Sequence, residues 1–330
     1  MGRLHARVYG EMDRCKLAGV YDPNPEACKA AADQYDTVAF ASPEAALEAG
    51  VRAVTVAATT SVHLPVAEPL LKAGVACLIE KPLAADAKTA RRIMELADEH
   101  KAVVQVGHIE RFNPAVRSLS KMGVEPRYIE VVRISPLTFR SIDVGVVMDV
   151  MIHDIDIVMS LAGSEVVDVQ AHGVGVIGGG EVDGGRPAED VCNARLTFAN
   201  GCVASLTASR LAMKTERRLR VFSPEAYVSL DYQKKAGMSV HRTGNVDLLR
   251  ETVGKIRNGE ITDMTQLDFK QLVTIEQLAI DDVEPLRAQL DAFIDAVEGK
   301  CDPIVPARAG VAAVEVAERI VAAMPDVSLT

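Results

Sequence analysis

The first 107 residues alternate short apolar segments with helix-length segments, and this alternation limits the folds open to the chain. Segments such as 54–58 lack charged residues and are mainly apolar, as in strands that helices cover on both faces. Alternation at this spacing predicts an α/β fold with a doubly wound parallel sheet. The predicted strands are 16–21, 38–40, 52–58, 75–79 and 102–107, and the predicted helices are 3–12, 26–34, 64–72 and 88–100, with another starting at Ser42.

After about residue 110 the pattern changes, and strands begin to follow one another directly. Asn200-Gly201 between two such strands is typical of a type I′ hairpin turn. We predict a second, α+β domain with a mostly antiparallel open sheet, and place the two domains at 1–110 and 111–330. Its predicted strands are 127–134, 166–176, 193–199, 202–210, 218–223 and 226–231, and its predicted helices are 146–162, 284–299 and 307–323.

The charge balance argues against nucleic-acid and membrane partners. The 330 residues include 46 acidic and 36 basic side chains, for a formal net charge of −10, and there is no Trp for base stacking. No segment resembles a signal peptide or a membrane span. The six cysteines are scattered, with no Cys-x-x-Cys pair, so we expect free thiols in a cytoplasmic protein.

A dinucleotide-binding signal lies at the start of the chain. Gly2 opens a predicted helix, and Asp22 ends an apolar strand 20 positions later, which is the spacing from a dinucleotide-binding glycine to the acid on the adenosine ribose. A carboxylate there accepts hydrogen bonds from the ribose and repels a 2′-phosphate, which favours NAD. A purely local Asp-Pro turn is the alternative. The glycine-rich segment 173–185 is interpreted as a loop, because no helix follows it.

Small and hydroxylated residues follow the strand 52–58. Ala58, Thr59, Thr60 and His63 lie where ligands bind in open parallel sheets, although a hydroxyl there could also simply cap the next helix.

Glu80-Lys81-Pro82 ends the next strand. A lysine followed by proline at that position is held beside the cleft, but an ordinary Glu-Lys pair explains the same residues. The residues alone leave both interpretations open.

A predicted helix carries Asp149, His153 and Asp156. Asp149 and His153 are four residues apart, so their side chains share one face, and a carboxylate beside a histidine would orient it and make it more basic. This pattern suits a general base that removes an alcohol proton. A core histidine is the alternative. A metal site is not predicted, because no second His stands at ligand spacing.

The last parallel strand runs into a polar segment that includes His108, Arg111 and Asn113. Side chains at this edge point into the gap between the domains, where they could hold an anionic or carbohydrate ligand.

Taken in order, these segments resemble the Gfo/Idh/MocA oxidoreductase family, with Glu80-Lys81-Pro82 and the Asp149–His153 helix as its most specific marks. The resemblance implies a Rossmann-type domain and hydride exchange between a sugar carbon and NAD. It implies that Lys81 hydrogen-bonds the reacting hydroxyl, and that Asp149 and His153 position the sugar and move its proton.

We therefore predict catalytic roles for Lys81, Asp149 and His153. The predicted cofactor contacts are Gly2, Arg3, Asp22, Ala58, Thr59, Thr60, His63, Glu80 and Lys81. The predicted substrate contacts are Lys81, His108, Arg111, Asn113, Arg140, Asp149 and His153.

Three segments, 107–114, 143–156 and 227–233, look like the branch that contains UDP-N-acetylglucosamine 3-dehydrogenases. That likeness implies oxidation of a sugar 3-hydroxyl to a ketone, a partner aminotransferase, and a diphosphate near Arg111, Arg133 and Arg140. Oxidation of a free polyol or aldose, and a non-catalytic sugar-nucleotide or dinucleotide sensor, are the alternatives. We also expect a homodimer or homotetramer, because the open sheet face needs a cover.

The family pattern begins with a strand and three spaced glycines, and Met1-Gly2 matches only its end. We expect a strand and loop of about 10 to 15 residues to precede Met1 in a longer protein.

Overall fold

A computed structural model of the chain describes residues 1–137, 144–177, 181–182, 186–242, 246–262 and 273–325. Its helices are α1 (Gly2–Gly10), α2 (Pro25–Gln34), α3 (Pro43–Glu48), α4 (His63–Lys72), α5 (Ala87–Glu99), α6 (Pro114–Lys121), α7 (Ile152–Ala162), α8 (Val246–Arg257), α9 (Pro285–Val297) and α10 (Ala307–Ala323). Its strands are β1 (Gly19–Val20), β2 (Val38–Ala39), β3 (Ala53–Val56), β4 (Ala76–Glu80), β5 (Val104–Gly107), β6 (Tyr128–Ile134), β7 (Val166–Val174), β8 (Glu181–Val182), β9 (Arg186–Pro187), β10 (Val191–Phe198), β11 (Val203–Ser209), β12 (Glu216–Phe222), β13 (Ala226–Asp231), β14 (Ala236–Arg242) and β15 (Val273–Gln277).

Local sequence signals start the helices of the first half. The side-chain oxygen of Asn24 accepts hydrogen bonds from the first N–H groups of α2, and Pro25 stands at its first turn. Ser42 Oγ accepts from the Ala45 N–H at 3.2 Å and caps α3, as its position before a proline indicates. These caps set where each helix begins after its strand.

The first half is built on parallel strands. β1 pairs with β2, and β3, β4 and β5 pair in that order, all of them parallel. The buried strand β4 alternates between two cores: Cys77 and Ile79 face one that contains side chains of α4 and α5, whereas Ala76 and Leu78 face one that contains side chains of α1 and α9. Helices therefore cover both faces, and the predicted doubly wound sheet is confirmed.

The second half is an eight-stranded sheet in the order β15-β14-β13-β12-β6-β11-β10-β7. Only the β6–β11 pair is parallel among these neighbours, so the predicted mostly antiparallel sheet is confirmed. Burial alternates along its strands, as in β13, so that one face packs on α7 and α10 and the other stays open.

Helix α9 returns from the second half to the first. Leu290 and Phe293 of α9 share a core with Val8 of α1 and Leu78 of β4, and Gln105 forms a backbone bridge to Pro306 just before α10. The core under the parallel sheet thus includes residues from both ends of the chain. The boundary at residue 110 stays a prediction about the folding units.

The turn between β10 and β11 differs from the sequence-based prediction. A type I′ turn needs positive φ at both central residues, but only Gly201, at φ +82°, has it; Asn200 does not. The Asn200 side chain instead donates to the Ala162 carbonyl at 2.9 Å and accepts from the Cys202 N–H at 3.1 Å. The predicted type I′ turn was therefore wrong, because side-chain contacts hold Asn200 in an ordinary backbone conformation.

None of the helices in the described ranges is long and apolar enough to cross a bilayer. The glycine-rich segment 173–185 lies partly outside these ranges. Its described part ends β7 and leads into the short antiparallel pair β8–β9.

Candidate active site

A cavity of 1710 Å³ lies at the carboxyl ends of the parallel strands. Side chains from both halves of the molecule line it, since Val144, Met148 and Asp149 of the second half face the strand ends of the first. In an open parallel sheet this edge is where ligands bind. The sequence-predicted residues that line it are Gly2, Arg3, Asp22, Ala58, Thr59, Thr60, Lys81 and Asp149.

The cofactor end of the cavity fits a dinucleotide. The N-terminus of α1 opens on it at Gly2, and a helix N-terminus attracts phosphate through its N–H groups and dipole. Asp22 follows β1 at the rim; its Oδ1 accepts from the Asn24 N–H at 2.8 Å. The other carboxylate oxygen of Asp22 remains available for a ribose hydroxyl. A local Asp-Pro turn and a ribose-binding role for Asp22 are therefore compatible.

His63 acts on this cavity indirectly. The ring is 1% exposed and does not line the cavity, and its two nitrogens lie 3.2 Å from the Leu83 and Ala58 carbonyl oxygens. The predicted direct contact with cofactor is therefore not seen. The imidazole instead lies between the loop after β3 and the loop after β4, and its single N–H can donate to one of the two carbonyl oxygens.

Glu80 is also turned away from the cavity. Its carboxylate lies 2.8 Å from Nε2 of His5, and both side chains are buried. Gly107 makes room for this pair, since a Cβ there would lie 2.9 Å from the Glu80 backbone and carboxyl carbon. His5, which lines the cavity, was missed in the sequence; its signal was its place one turn after Gly2 on the inner face of α1.

Lys81 links the two halves at the wall of the cavity. Its Nζ donates to the Asp149 carbonyl oxygen at 2.6 Å and to the Asp149 carboxylate at 3.2 Å. The two side chains are 20% and 31% exposed, so the ammonium is held in place and still reaches the cavity. Asp149 lies in a π-helical turn, Val147–Met151, rather than in the continuous α-helix that the sequence indicated. Such turns are common at functional sites.

His153 lies behind this pair, near His108. The two rings meet edge to face with their centroids 6.2 Å apart. Burial and the positive charges of Lys81 and Arg133 lower the pKa of His153 well below its usual value. The expectation that an acidic neighbour would make His153 more basic was wrong, because these effects outweigh the nearby acids and the Asp149 carboxylate pairs with Lys81.

Within the described structure, both ring nitrogens of His108 and Nδ1 of His153 are buried without a hydrogen-bond partner. Burial lowers the pKa of His108, and the Asp156 carboxylate only partly opposes this. Buried polar atoms of this kind usually meet water or a ligand. The lowered pKa values leave both rings neutral, and neither ring lines the large cavity.

Arg133 is not available for a diphosphate. It is 3% exposed, it donates to both carboxylate oxygens of Asp154 at 2.7 and 2.8 Å, and it donates to Glu110 at 2.8 Å. Its guanidinium also lies 5.8 Å from the ring centre of Tyr232. The predicted role near a diphosphate was wrong, because this strand residue points into the core beside α7.

Two further predicted substrate contacts have structural partners. Asn113 caps α6 by accepting from the Ala115 N–H at 3.0 Å, and its amide donates to Glu110 at 3.1 Å. Arg111 lies 3.5 Å from Asp156 and lines a separate cavity of 190 Å³. Neither faces the large cavity, and Arg140 lies outside the described residues. The prediction of no metal site remains a prediction; among described side chains, no group of three His, Cys, Asp or Glu could hold an ion.

A doubly wound parallel sheet whose strand ends face a second, mostly antiparallel sheet across a large cavity is the arrangement of a dinucleotide-binding enzyme. Residues 1–108 match the NAD-binding Rossmann fold of the Gfo/Idh/MocA oxidoreductase family, and residues 138–327 match that family's C-terminal alpha/beta domain. The chain belongs to this family. The predicted family, enzyme class and cofactor, NAD, are thereby confirmed.

Individual relatives agree with this assignment. UDP-N-acetylglucosamine 3-dehydrogenase of Acidithiobacillus ferrooxidans is 40% identical over 243 residues, which cover 73% of this chain and 74% of that protein. A crystal structure of the same enzyme superposes with a TM-score of 0.83 and covers 98% of this chain and 94% of that one, at 33% identity. Inositol 2-dehydrogenase of Rhizobium meliloti is 26% identical over 73% of this chain and 75% of its own.

Proposed function

We propose that this protein oxidises the 3-hydroxyl of a UDP-N-acetylhexosamine, such as UDP-N-acetylglucosamine, to a ketone, with NAD as the hydride acceptor. The observation that carries the proposal is the Lys81 ammonium, held 2.6 Å from the Asp149 carbonyl at the cavity wall where both halves meet. The choice of sugar is supported by the 40% identity to an enzyme named for that substrate.

Three side chains would divide the work. Lys81 donates a hydrogen bond to the reacting hydroxyl and stabilises the negative charge that grows on its oxygen. Asp149 holds that ammonium and accepts a hydrogen bond from the sugar. His153 is neutral because of its lowered pKa, and its Nδ1 has no hydrogen-bond partner among the described residues. It would accept the hydroxyl proton through a water, because the ring does not line the cavity. Bound NAD supplies the hydride acceptor.

The direct test is the absorbance of reduced nicotinamide when full-length protein is given NAD and a panel of sugars. We expect turnover with UDP-N-acetylglucosamine and little with inositol or free glucose. Turnover restricted to free polyols or aldoses would replace the proposed substrate. Binding of UDP-sugar or NADH without turnover of any sugar would favour a sensor. The joint presence of Lys81, Asp149 and His153 argues for the enzyme, because a sensor has no chemical need for all three.

The pH dependence of turnover tests the role of His153. Because its pKa is lowered, the ring stays neutral to a lower pH than an ordinary histidine, and base catalysis is lost only as pH falls through that lowered value. We expect kcat/KM to hold as pH falls through 6.5, the usual histidine pKa, and to decline only well below it. His153→Asn should remove this limb and lower kcat about 10²- to 10⁴-fold. A limb that persists in this variant would assign it to another group.

We also propose a homodimer or homotetramer built on the open face of the eight-stranded sheet. Tyr128, Phe222 and Tyr227 form an aromatic cluster there, with ring centres 5.8 and 5.0 Å apart, and Phe222 is 39% exposed. A face of this kind normally meets another copy.

Phe222→Glu is expected to convert the protein to a 35.4 kDa monomer in light scattering after size exclusion, because a charge would be buried in the interface. Val38→Glu, at the exposed strand β2 of the other half, is the control and should leave the mass unchanged. A wild-type monomer would refute the proposal.

The product and the thiols support two further assignments. A sugar ketone is the substrate that an aminotransferase needs, so we propose that an aminotransferase acts on the product of this reaction.

All six cysteines are free, which supports a cytoplasmic location.

A further inference from the structure

A single acidic residue, Glu189, caps the start of the helical segment that carries Asp149 and His153. The Glu189 carbonyl oxygen accepts from the Val146 N–H at 2.8 Å, and its carboxylate Oε1 accepts from the Val147 N–H at 2.9 Å. The first N–H groups of a helix have no partner within the helix. Glu189, 42 positions away along the chain, thus satisfies two of them.

The space for this carboxylate is set by Gly145. A Cβ at residue 145 would overlap both carboxylate oxygens of Glu189, so any side chain there would push the carboxylate away. The same glycine accepts from the Asp149 N–H at 3.1 Å through its carbonyl. Any larger residue at position 145 would therefore displace the Glu189 carboxylate from its present place.

A second contact holds the residue just before this turn. Arg210 donates to the Val144 carbonyl oxygen at 2.6 Å and to the Asp190 carboxylate at 2.6 Å. Glu189 and Asp190 are adjacent, so one short segment secures the chain on both sides of Gly145. The start of the turn is fixed by contacts from the antiparallel domain.

The position of this turn affects Lys81, which contacts both the backbone and the side chain of Asp149. Its Nζ donates to the Asp149 carbonyl oxygen at 2.6 Å, so a shift of the π-helical turn shifts the ammonium with it. A displacement of about 1 Å at a reacting group can cost about 10²-fold in rate.

We propose that Glu189 is a positioning residue: by capping the start of the Val147–Met151 turn, it sets the place of Asp149 and, through the Asp149 carbonyl, the place of the Lys81 ammonium. This inference rests on the proposed roles of Lys81 and Asp149. The burial of Glu189, which raises the pKa of its carboxyl group, is consistent with a group dedicated to one internal contact.

The test compares Glu189→Ala, Glu189→Gln, Gly145→Ala and the double variant Gly145→Ala/Glu189→Ala. We expect Glu189→Ala and Gly145→Ala each to lower kcat about tenfold or more, with KM for NAD changed less than about threefold. Glu189→Gln keeps an oxygen for the Val147 N–H and should recover most of the rate. Once Glu189 is truncated, Gly145→Ala should cost almost nothing further, because the overlap is gone.

The chain offers a matched control in Glu318, whose carboxylate accepts from the Ala87 N–H at 2.8 Å and caps α5 from 231 positions away. Glu318→Ala removes the same kind of cap from a helix that carries none of the proposed catalytic residues. It should shift the midpoint of urea unfolding to lower concentration, as loss of a helix cap does, and leave kcat within about twofold. An equal loss of kcat in Glu318→Ala would show a general effect of stability and overturn the proposal.

Amide hydrogen exchange provides a measurement that needs no turnover. Peptides covering 144–151 should exchange faster in Glu189→Ala and Gly145→Ala than in wild type, and unchanged exchange there would overturn the positioning role. Faster exchange with unchanged kcat would overturn its catalytic consequence alone. If wild type turns over no sugar, the proposed function fails, while the exchange data still decide whether Glu189 holds the turn.

Discussion

Lys81→Ala is expected to lower kcat for UDP-N-acetylglucosamine oxidation by about 10²- to 10³-fold, the usual effect of removing one donor to a developing oxyanion. The substitution removes the only cation that the structure places both at the cavity wall and against Asp149, among the residues described. The measurement is the initial rate of reduced nicotinamide formation at saturating NAD and sugar, with NADH affinity followed by fluorescence.

The affinity for NADH separates catalysis from binding in this variant. We expect the Kd to change less than about threefold, since an interaction made only in the transition state lowers kcat without weakening ground-state binding. Lys81→Arg keeps the charge but presents a planar fork that cannot reproduce both contacts to Asp149, so it should recover only part of the rate.

Lys72→Ala is the control for this experiment. Lys72 ends α4, is 52% exposed and pairs with Glu68 on the same helix, away from the cavity. Its removal should leave kcat unchanged. If Lys81→Ala kept a rate close to that of wild type, the proposed mechanism would be wrong, whatever the substrate.

Arg133→Met is expected to lower the free energy of unfolding by about 3–5 kcal/mol, the cost of removing one partner from a buried ion pair. The side chain of Arg133 is 4% exposed, and its loss leaves the carboxylates of Asp154 and Glu110, 2% and 10% exposed, without their main partner. Burial favours the neutral form of Glu110, but Arg133, together with Arg217 and Asn113, outweighs burial and lowers the Glu110 pKa. Urea denaturation at neutral pH measures the change.

The control for Arg133 is Arg92→Met on α5. Arg92 pairs with Glu95 and Glu99, but all three side chains are 41–55% exposed, so we expect less than about 1 kcal/mol. A similar small loss in Arg133→Met would mean that the buried acids become protonated at little cost. In that case the stability of the variant should rise as pH is lowered, which the same titration would show.

The predicted folds of both halves rested on hydrophobic periodicity, and periodicity reflects burial directly. β4 is continuously buried because helices cover both faces, and β13 alternates because one face is open. The caps at Asn24 and Ser42 were equally readable, since each acts on N–H groups two or three residues away. Local interactions of this kind can be predicted because both partners are neighbours in the sequence.

The candidate site was only partly predictable for the same reason. Lys81, Asp149 and the hydroxyls at Thr59 and Thr60 could be found because strand ends converge at one edge of a parallel sheet. His63 also follows a strand end, but its ring nitrogens lie against the carbonyl oxygens of Leu83 and Ala58, 20 and 5 positions away along the chain. Which use a polar side chain serves depends on neighbours that the sequence does not place.

By itself, the sequence determined the parallel and antiparallel halves, the edge at which a ligand binds, and the strand-end lysine. Each of these follows from periodicity or from short-range backbone contacts. Only the tertiary structure decided that Asp149 meets Lys81, that Arg133 is buried, and that the His153 pKa is lowered rather than raised. These depend on burial and on charges brought together across the two halves, and desolvation and Coulomb energies are set by distances in space rather than along the chain.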